Sequence, residues 1–597
     1  MNRLKSIIMQ LMKGLSVAVM RFPFTVLCLV AATSIICYMI SLREAPTLIL
    51  EKWLYTLMVG ALLGMVAQFT IERFEKLSKL LPIVYGVVLL LTAGYFAILW
   101  PAPELSPEIA TRTFVAVIAM ICAVLWVPAF QGKVDFNKIA LIHFKSFFTS
   151  ILYSGVMSAG LAAIIFAIDQ LLFRVQEDSY AYMMTIVWVI FAPVFYLSLL
   201  PKFNPKSETE EAATQQTSNY PRFLEILVSY ISIPLFTAYT LVLFAYFVKI
   251  LVSMDWPSGQ LGPMVLAYSA IGLIIFVLAS LPENRFAILY RKIFPKVWIP
   301  IVIMQLISVW IRLDAYGITE SRYYVALFGV FSIVTAIFLN LRPVSNNRII
   351  ALLVAGFAIF SIIPPVDAFT VSRNSQIHRI EAILQAEGIL SEGKLIPKEN
   401  PSENTKIEVT NILNYLDSHS SLKYISWLPE DFEVYKDMES TLGFEQFYST
   451  SPDYESEYFY ASLDTQIPLD ISGFDTSVVV NSNRYMDIEE EESFPFTVRG
   501  VNYELVVNRL SENEVLISVI DSTDNELITA ELYEFTKELQ NNVSPQKELV
   551  PPEMMTFVVS ENDYSLKIIF QNVSITYGGG QDAGADFTAY VLFKAPI

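Results

Sequence analysis

The residues best placed to do chemistry are charged groups lodged beside long apolar runs. An ionisable side chain in or at the edge of a membrane span is costly, and it marks a site. Asp169 closes one apolar run, Lys249 lies near the end of another, and Glu51 and Lys52 open a third. Arg312, Asp314, Glu320 and Arg322 bracket a short polar turn, and Asp367 closes the last run with Arg373 following it. Lys and Arg can snorkel to the interface on their long stems, but aspartate cannot reach far, so Asp169, Asp314 and Asp367 weigh most. Opposite charges beside lipid should pair, because an unpaired ion there is strongly destabilising. The spacing predicts that Arg312 or Arg322 bonds Asp314 or Asp367, and that Arg373 ties the following segment to the same cluster. Asp169, Lys249, Arg312, Asp314, Glu320, Arg322, Asp367 and Arg373 are therefore the candidate polar cluster, built to bind a ligand or to lock helices together.

Other chemistry finds no support in the pattern. No GxSxG, HExxH or Walker A sequence occurs. The three histidines are His143 beside Lys145, His378, and His419 in Asp417-Ser418-His419-Ser420. The last imitates a nucleophile beside its base, but triads are assembled from distant segments, and a turn closing a helix is the expected role. Cys28, Cys37 and Cys122 all sit in apolar runs and read as small buried hydrophobes. They lack metal-ligand spacing, and no metal or cofactor is implied. The acidic stretches 487–492 and 578–586 lack the spacing of a calcium loop. They read as a solvated face and a flexible hairpin loop.

The elements that position these groups are membrane helices. Of 597 residues, 54% are hydrophobic and only 16% charged, well under the ~25% charged of soluble domains. The charge is unevenly divided. Residues 1–368 hold 26 Lys/Arg against 19 Asp/Glu, whereas residues 369–597 hold 14 against 39. The first part is a membrane domain, and the second is an acidic body that argues against nucleic acid as a partner. About 20 apolar residues cross a bilayer. Candidate spans are 22–42, 48–70, 79–100, 111–130, 147–168, 180–200, 226–251, 263–281, 297–313, 322–341 and 349–367, eleven in all, with 297–313 notably short. The run after Arg21 is followed by Arg43-Glu44-Ala45-Pro46 and not by a small-residue cleavage site, so it reads as a retained helix and not a signal peptide.

Lys/Arg placement sets orientation. Alternate connections carry Arg3, Lys5, Lys13, Arg21; Arg73, Lys76, Lys79; Lys133, Lys138, Lys145; Lys202, Lys206, Arg222; Arg285, Arg291, Lys292, Lys296; and Arg342, Arg348. The other connections hold only Arg43, Arg112, Arg174, Arg312 and Arg322. Nineteen against five places the N-terminus in the cytoplasm and the acidic body outside. Residues 204–220 read as a flexible cytoplasmic linker.

Beyond the last span, residues 369–404 form an exit helix and linker, with Ile377, Ile380, Ile383 and Leu384 at helical spacing. Residues 405–597 form an acidic extracytoplasmic domain of α+β, strand-rich character. It begins with a helix over 407–416. Strands are expected at 476–481, 496–509, 514–521, 555–560, 565–573 and 588–593, and a helix at 527–540.

Several stretches resemble one family: Arg21-Phe22-Pro23, Ala245-Tyr246 with Lys249, the block from Asp314 to Tyr323 (DAYGITESRY), the block from Asp367 to Gln376 (DAFTVSRNSQ), and Glu392-Gly393-Lys394. The chain to about residue 430 is similar to the bacterial integral membrane family catalogued as domain of unknown function 4153. The most specific part is Tyr316–Tyr323 together with Val371–Gln376. The resemblance implies a many-helix protein of a bacterial cell membrane and carries no catalytic residues with it.

Three functions fit. The first is a non-enzymatic sensor or scaffold whose outer domain meets a cell-envelope protein or lipid. It is favoured because no span carries a central carboxylate of the kind that coupled transport uses. The second is a transporter or flippase using the polar cluster. The third is an enzyme acting on an envelope lipid, with Asp169, Asp314 or Asp367 as acid or base. The lipid bilayer is a partner in each.

Overall fold

The computed structural model describes the chain apart from residues 1, 43–46, 133, 177, 254–260, 430, 448–457, 483–490, 511–514, 524, 533–534, 536–538, 540–548, 579–580 and 597. It divides into two compact units. One comprises residues 1–394 with 412–432, the other residues 395–411 with 433–597.

Among the described residues of the first unit, Asn2–Arg21 (α1) precedes ten helices long and apolar enough to cross a membrane. These are Pro23–Leu42 (α2), Leu48–Arg73 (α3), Leu81–Leu99 (α4), Pro107–Ala129 (α5), Phe136–Leu171 (α6), Asp178–Ser198 (α7), residues 222–253 (α8), Leu261–Leu278 (α9), Arg285–Tyr316 (α10) and Glu320–Leu341 (α11). The short span expected at 297–313 is the C-terminal part of a 32-residue helix, so its length is ample. The eleventh expected span is different: Arg348–Phe360 (α12) has 13 residues, about 20 Å at 1.5 Å per residue. Yet the chain does traverse the bundle here. Asn347, just before α12, donates to Asn137 Oδ1 (2.8 Å) and Ser280 Oγ (2.9 Å) at one end of the bundle. Asp367, just after it, meets Arg112 at the other. The non-helical segment 361–366 completes the passage.

The connections rich in Lys and Arg are bonded to one another. Arg21 donates to Glu72 (2.7 Å) and to the carbonyls of Leu200 (2.5 Å) and Pro201 (3.0 Å). Arg73 donates to the Phe130 carbonyl (2.6 Å), and Lys145 to those of Thr217 and Asn219. Asn137 donates to the Val344 carbonyl (3.1 Å) and Arg291 to that of Ser280 (3.0 Å). Every basic connection of the sequence pattern thus falls at one end of the bundle. The linker expected at 204–220 is folded into this layer. Ser207 caps a helix over Glu208–Thr217, whose first turn carries Glu208, Glu210 and Glu211, favourable at the positive end of the helix dipole. Thr214 donates to the Lys202 carbonyl (3.1 Å).

Two features of the span sequences shape the bundle. Gly60 and Gly64 let α3 approach its neighbours closely. A Cβ on Gly60 would lie 2.8 Å from Thr92 of α4, and one on Gly64 would lie 2.8 Å from Thr25 of α2. Pro193 and Pro234 each lack an N–H, and each follows a π-helical stretch, Ile186–Phe191 in α7 and Ile226–Ser232 in α8.

After Asp367 the exit helix runs over Ala368–Ala386 (α13). Glu403–Ser418 (α14) follows, and its last turns, from Ile412, belong to the membrane unit. Val434–Leu442 (α15) belongs to the second unit.

The second unit is strand-rich. Its strands are Tyr458–Leu463 (β1), Thr476–Ser482 (β2), Glu491–Val498 (β3), Val501–Arg509 (β4), Val515–Asp521 (β5), Glu526–Glu531 (β6), Leu549–Val550 (β7), Thr556–Glu561 (β8), Tyr564–Gly578 (β9) and Gln581–Lys594 (β10). One sheet runs β2-β10-β9-β1-β7 with β8 also on β9, and the other runs β3-β4-β5-β6. Leu505, Ile517 and Val519 of the second sheet share one core with Phe570, Val573 and Val591 of the first, which makes a sandwich. Two expectations are corrected. The run 496–509 is not one strand but part of a hairpin. Arg499 (φ 50°) and Gly500 (φ 84°) form its two-residue turn, both with positive φ as a type I′ turn needs. The helix expected from 527 starts instead as β6, since Ile528 and Ala530 alternate inward at period two. The acidic residues 487–490 lie outside the described residues. The expected hairpin loop at 578–586 is mostly strand, because β10 pairs with β9 from Gln581 onward.

Candidate functional site

At the end of the bundle opposite the basic layer, charged groups gather around the start of α13. Asp367 is 0% exposed and caps that helix. Its Oδ1 accepts from the backbone N–H of Phe369 (3.2 Å) and Thr370 (3.1 Å), and from Arg112 Nη2 (2.8 Å). Arg112 also pairs with Glu108 one turn back (2.8 Å) and donates to the Ile362 carbonyl (2.5 Å). The expected partners of Asp367, Arg312 and Arg322, are thus replaced by an arginine from α5. Arg112, near the start of an otherwise apolar helix, is the signal that could have pointed to it.

Arg322 has another task. Its guanidinium donates to the carbonyls of Tyr316 (3.2 Å) and Gly317 (3.0 Å), at the C-terminal end of α10, where a cation opposes the negative end of the helix dipole. From α13, Gln376 donates to the carbonyls of Tyr316 (3.1 Å) and Ile318 (2.9 Å). Arg379 donates to those of Tyr316 (3.0 Å) and Ala315 (3.2 Å). The Ile318 N–H donates to Ser375 Oγ (3.0 Å). Gly317, at φ 69°, lets the chain turn here, and a Cβ on it would stand 2.9 Å from Gln376 Nε2. The two most specific sequence blocks, Tyr316–Tyr323 and Val371–Gln376, are therefore the two halves of one interlock.

Glu320 opens α11 and accepts a short hydrogen bond from the Tyr415 hydroxyl. His419 Nε2 lies 3.4 Å from the same carboxylate. Burial and the Glu320 carboxylate push the Tyr415 hydroxyl well above its ordinary pKa, so it remains a donor. His419 Nδ1 lies 2.7 Å from the Tyr415 carbonyl and 3.0 Å from Ser418 Oγ. A carbonyl can only accept, so Nδ1 carries a proton and cannot take one from Ser418. The Ser-His pair is therefore no nucleophile and base, and His419 closes the end of α14. The Arg373 guanidinium stacks on Tyr424 at 3.9 Å from the ring centre. It ties α13 to the 412–432 segment and not to Asp367.

Three of the sequence candidates stand apart. Asp169 accepts from the Val175 N–H (2.8 Å) and closes the turn after α6. Lys249 and Asp314 are exposed. Among the described residues neither these three nor Arg312 forms an ion pair with the rest of the cluster. The structure thus brings together Glu320, Arg322, Asp367 and Arg373, and adds Glu108, Arg112, Tyr415 and His419. Among the described residues no group of three or more His, Cys, Asp or Glu could hold a metal ion.

The model of the family described as "Domain of unknown function (DUF4153)" matches residues 27–392, which contain α3–α13 and both halves of the interlock. The chain belongs to the DUF4153 family. Among curated proteins, the DUF4153 chain is similar to "Uncharacterized protein PM1469" of Pasteurella multocida (strain Pm70), 22% identical over 364 residues. The match covers 60% of this chain and 56% of that relative, so the chain spans little more than half of the relative's length. No solved structure matches.

Proposed function

We propose that this is a multi-pass protein of a bacterial cell membrane whose strand-rich domain acts as a non-enzymatic sensor or scaffold for a cell-envelope partner, with the N-terminus cytoplasmic and the domain extracytoplasmic. One observation carries the reading. The buried and half-buried groups around α13 are used on one another and on backbone carbonyls: Asp367 on Arg112, Glu320 on Tyr415, Arg322 and Gln376 on the end of α10. They hold α13 in place. Orientation is supported by the basic connections lying together at one end, as the positive-inside rule expects of a cytoplasmic face. The passage of α12 and 361–366 supports an odd number of crossings, and hence chain ends on opposite sides.

A transporter or flippase is the second reading. It draws on Ser154 and Ser158 of α6, which are buried within a span and whose hydroxyls have no hydrogen-bond partner among the described residues. Reconstitution into liposomes with headgroup-labelled lipid separates the two. The scaffold reading expects lipid exchange at the rate of empty liposomes. Exchange accelerated by the chain and abolished by Ser154→Leu would favour the flippase.

A further inference from the structure

Arg373 stands out among the groups at this end of the bundle. Arg112 and Arg322 donate to carboxylates or carbonyls, but among the described residues Arg373 has no carboxylate within 4 Å and its buried Nε finds no acceptor. Its flat face rests on Tyr424. That contact fixes the guanidinium plane and leaves its N–H edge free, the fork that grips two oxygens of one oxyanion. Arg373 lines a cavity of about 40 Å3, together with Glu104, Ser106, Pro107, Glu108, Phe369 and the turn Ser418–Ser421.

Two carboxylates of the wall have partners of their own: Glu108 pairs with Arg112, which also holds Asp367, and Glu320 accepts from the Tyr415 hydroxyl. Only the exposed Glu104 is left over, beside the cavity. The cavity lies where spans end, between the start of α5 and the start of α13, which is the level of lipid headgroups. The hydroxyls of Ser418 and Ser421 donate to the carbonyls of Tyr415 (2.9 Å) and His419 (3.1 Å), which leaves the Ser420 hydroxyl as a further donor for an oxyanion.

We propose that this cavity binds a phosphate-type oxyanion through Arg373, with the phosphodiester of a lipid headgroup as the natural source. Glu104 would meet the ammonium group of a phosphoethanolamine. The inference does not depend on which side of the membrane the strand-rich domain occupies, or on whether that domain is a scaffold.

The test uses the full chain purified in a neutral maltoside detergent. It is titrated calorimetrically with inorganic phosphate, with short-chain phosphatidylethanolamine and with short-chain phosphatidylglycerol. The expected result is saturable binding of the ethanolamine lipid, weakened about tenfold or more by Arg373→Gln, with Glu104→Gln narrowing the difference between the two lipids. Equal binding of inorganic phosphate, lost in the same variant, would keep the oxyanion site and name free phosphate as its source. Ser418→Phe fills the cavity from an exposed position and should also remove binding, which decides the matter if Arg373→Gln does not fold. No saturable binding by the wild-type chain would overturn the proposal. So would unchanged binding in an Arg373→Gln chain that melts like wild type, or in Ser418→Phe.

Discussion

Asp367 and Arg112 lie 255 residues apart in the chain and 2.8 Å apart in space. Between them they join the first half of the bundle to the helix that leaves it. The same aspartate oxygen caps α13, so one buried group sets both where that helix starts and where it is anchored.

Removing one member should therefore cost more than removing the pair. Asp367→Ala strips the cap and leaves Arg112 without its buried partner, a loss of about 3–5 kcal/mol. Arg112→Ala leaves a fully buried carboxylate. The double variant should melt above the value expected from adding the two single losses. Additive losses, measured by thermal melting in detergent, would mean that the pair does not interact.

Gly317 should tolerate no side chain. Its positive φ disfavours any other residue by ~1 kcal/mol or more, and the added Cβ would press on Gln376. Gly317→Val is expected to loosen α13, seen as faster proteolytic cleavage after Arg379 with the ten spans still folded. Cleavage at the wild-type rate would remove the interlock from the account.

The helix pair α2–α3 makes a comparable prediction inside the membrane. Gly60→Leu and Gly64→Leu force side chains into Thr92, Cys28 and Thr25, and overpacking of this kind costs ~1–3 kcal/mol. Both should lower the melting temperature, while Gly155→Leu, which faces open space, should not.

In the strand-rich unit, Asp521 accepts from the hydroxyl of Thr523 and the backbone N–H groups of Asn525 and Thr523, which pull its carboxyl down to about 2. A depressed carboxylate stabilises the fold above its unfolded pKa of about 4. That contribution is lost as pH falls from there toward 2. Asp521→Asn should be less stable than wild type at pH 7, and the gap should close below pH 3. A gap that persists at pH 2 would contradict it.

The sequence disclosed the spans and their alternation because both rest on averages over many residues, apolar length and basic charge. It also marked the turn around Gly317 and the start of α13 as distinctive. Partner choice was not legible. Asp367 was expected to reach Arg312 or Arg322, on the connection one span earlier, whereas packing brought up Arg112 from α5, and nothing local to 367 encodes that. The carbonyls that Arg322, Gln376 and Arg379 grip were equally silent, since every residue has one. At 496–509 the alternation of a strand hid a two-residue turn, because Arg499 took a positive φ that its type does not advertise. The helix at 208–217 was missed because a polar stretch capped by Ser207 looks like a linker until its docking surface is known.

The central claim is that the basic layer faces the cytoplasm and the strand-rich domain the outside. Replace Cys28, Cys37 and Cys122 with alanine, then introduce single cysteines at Ser207, in the basic layer, and at Tyr435, which is 82% exposed in the second unit. A membrane-impermeant maleimide applied to intact cells should label Tyr435→Cys at once and Ser207→Cys only after permeabilisation. Labelling of Ser207→Cys in intact cells, with Tyr435→Cys protected, would contradict the account.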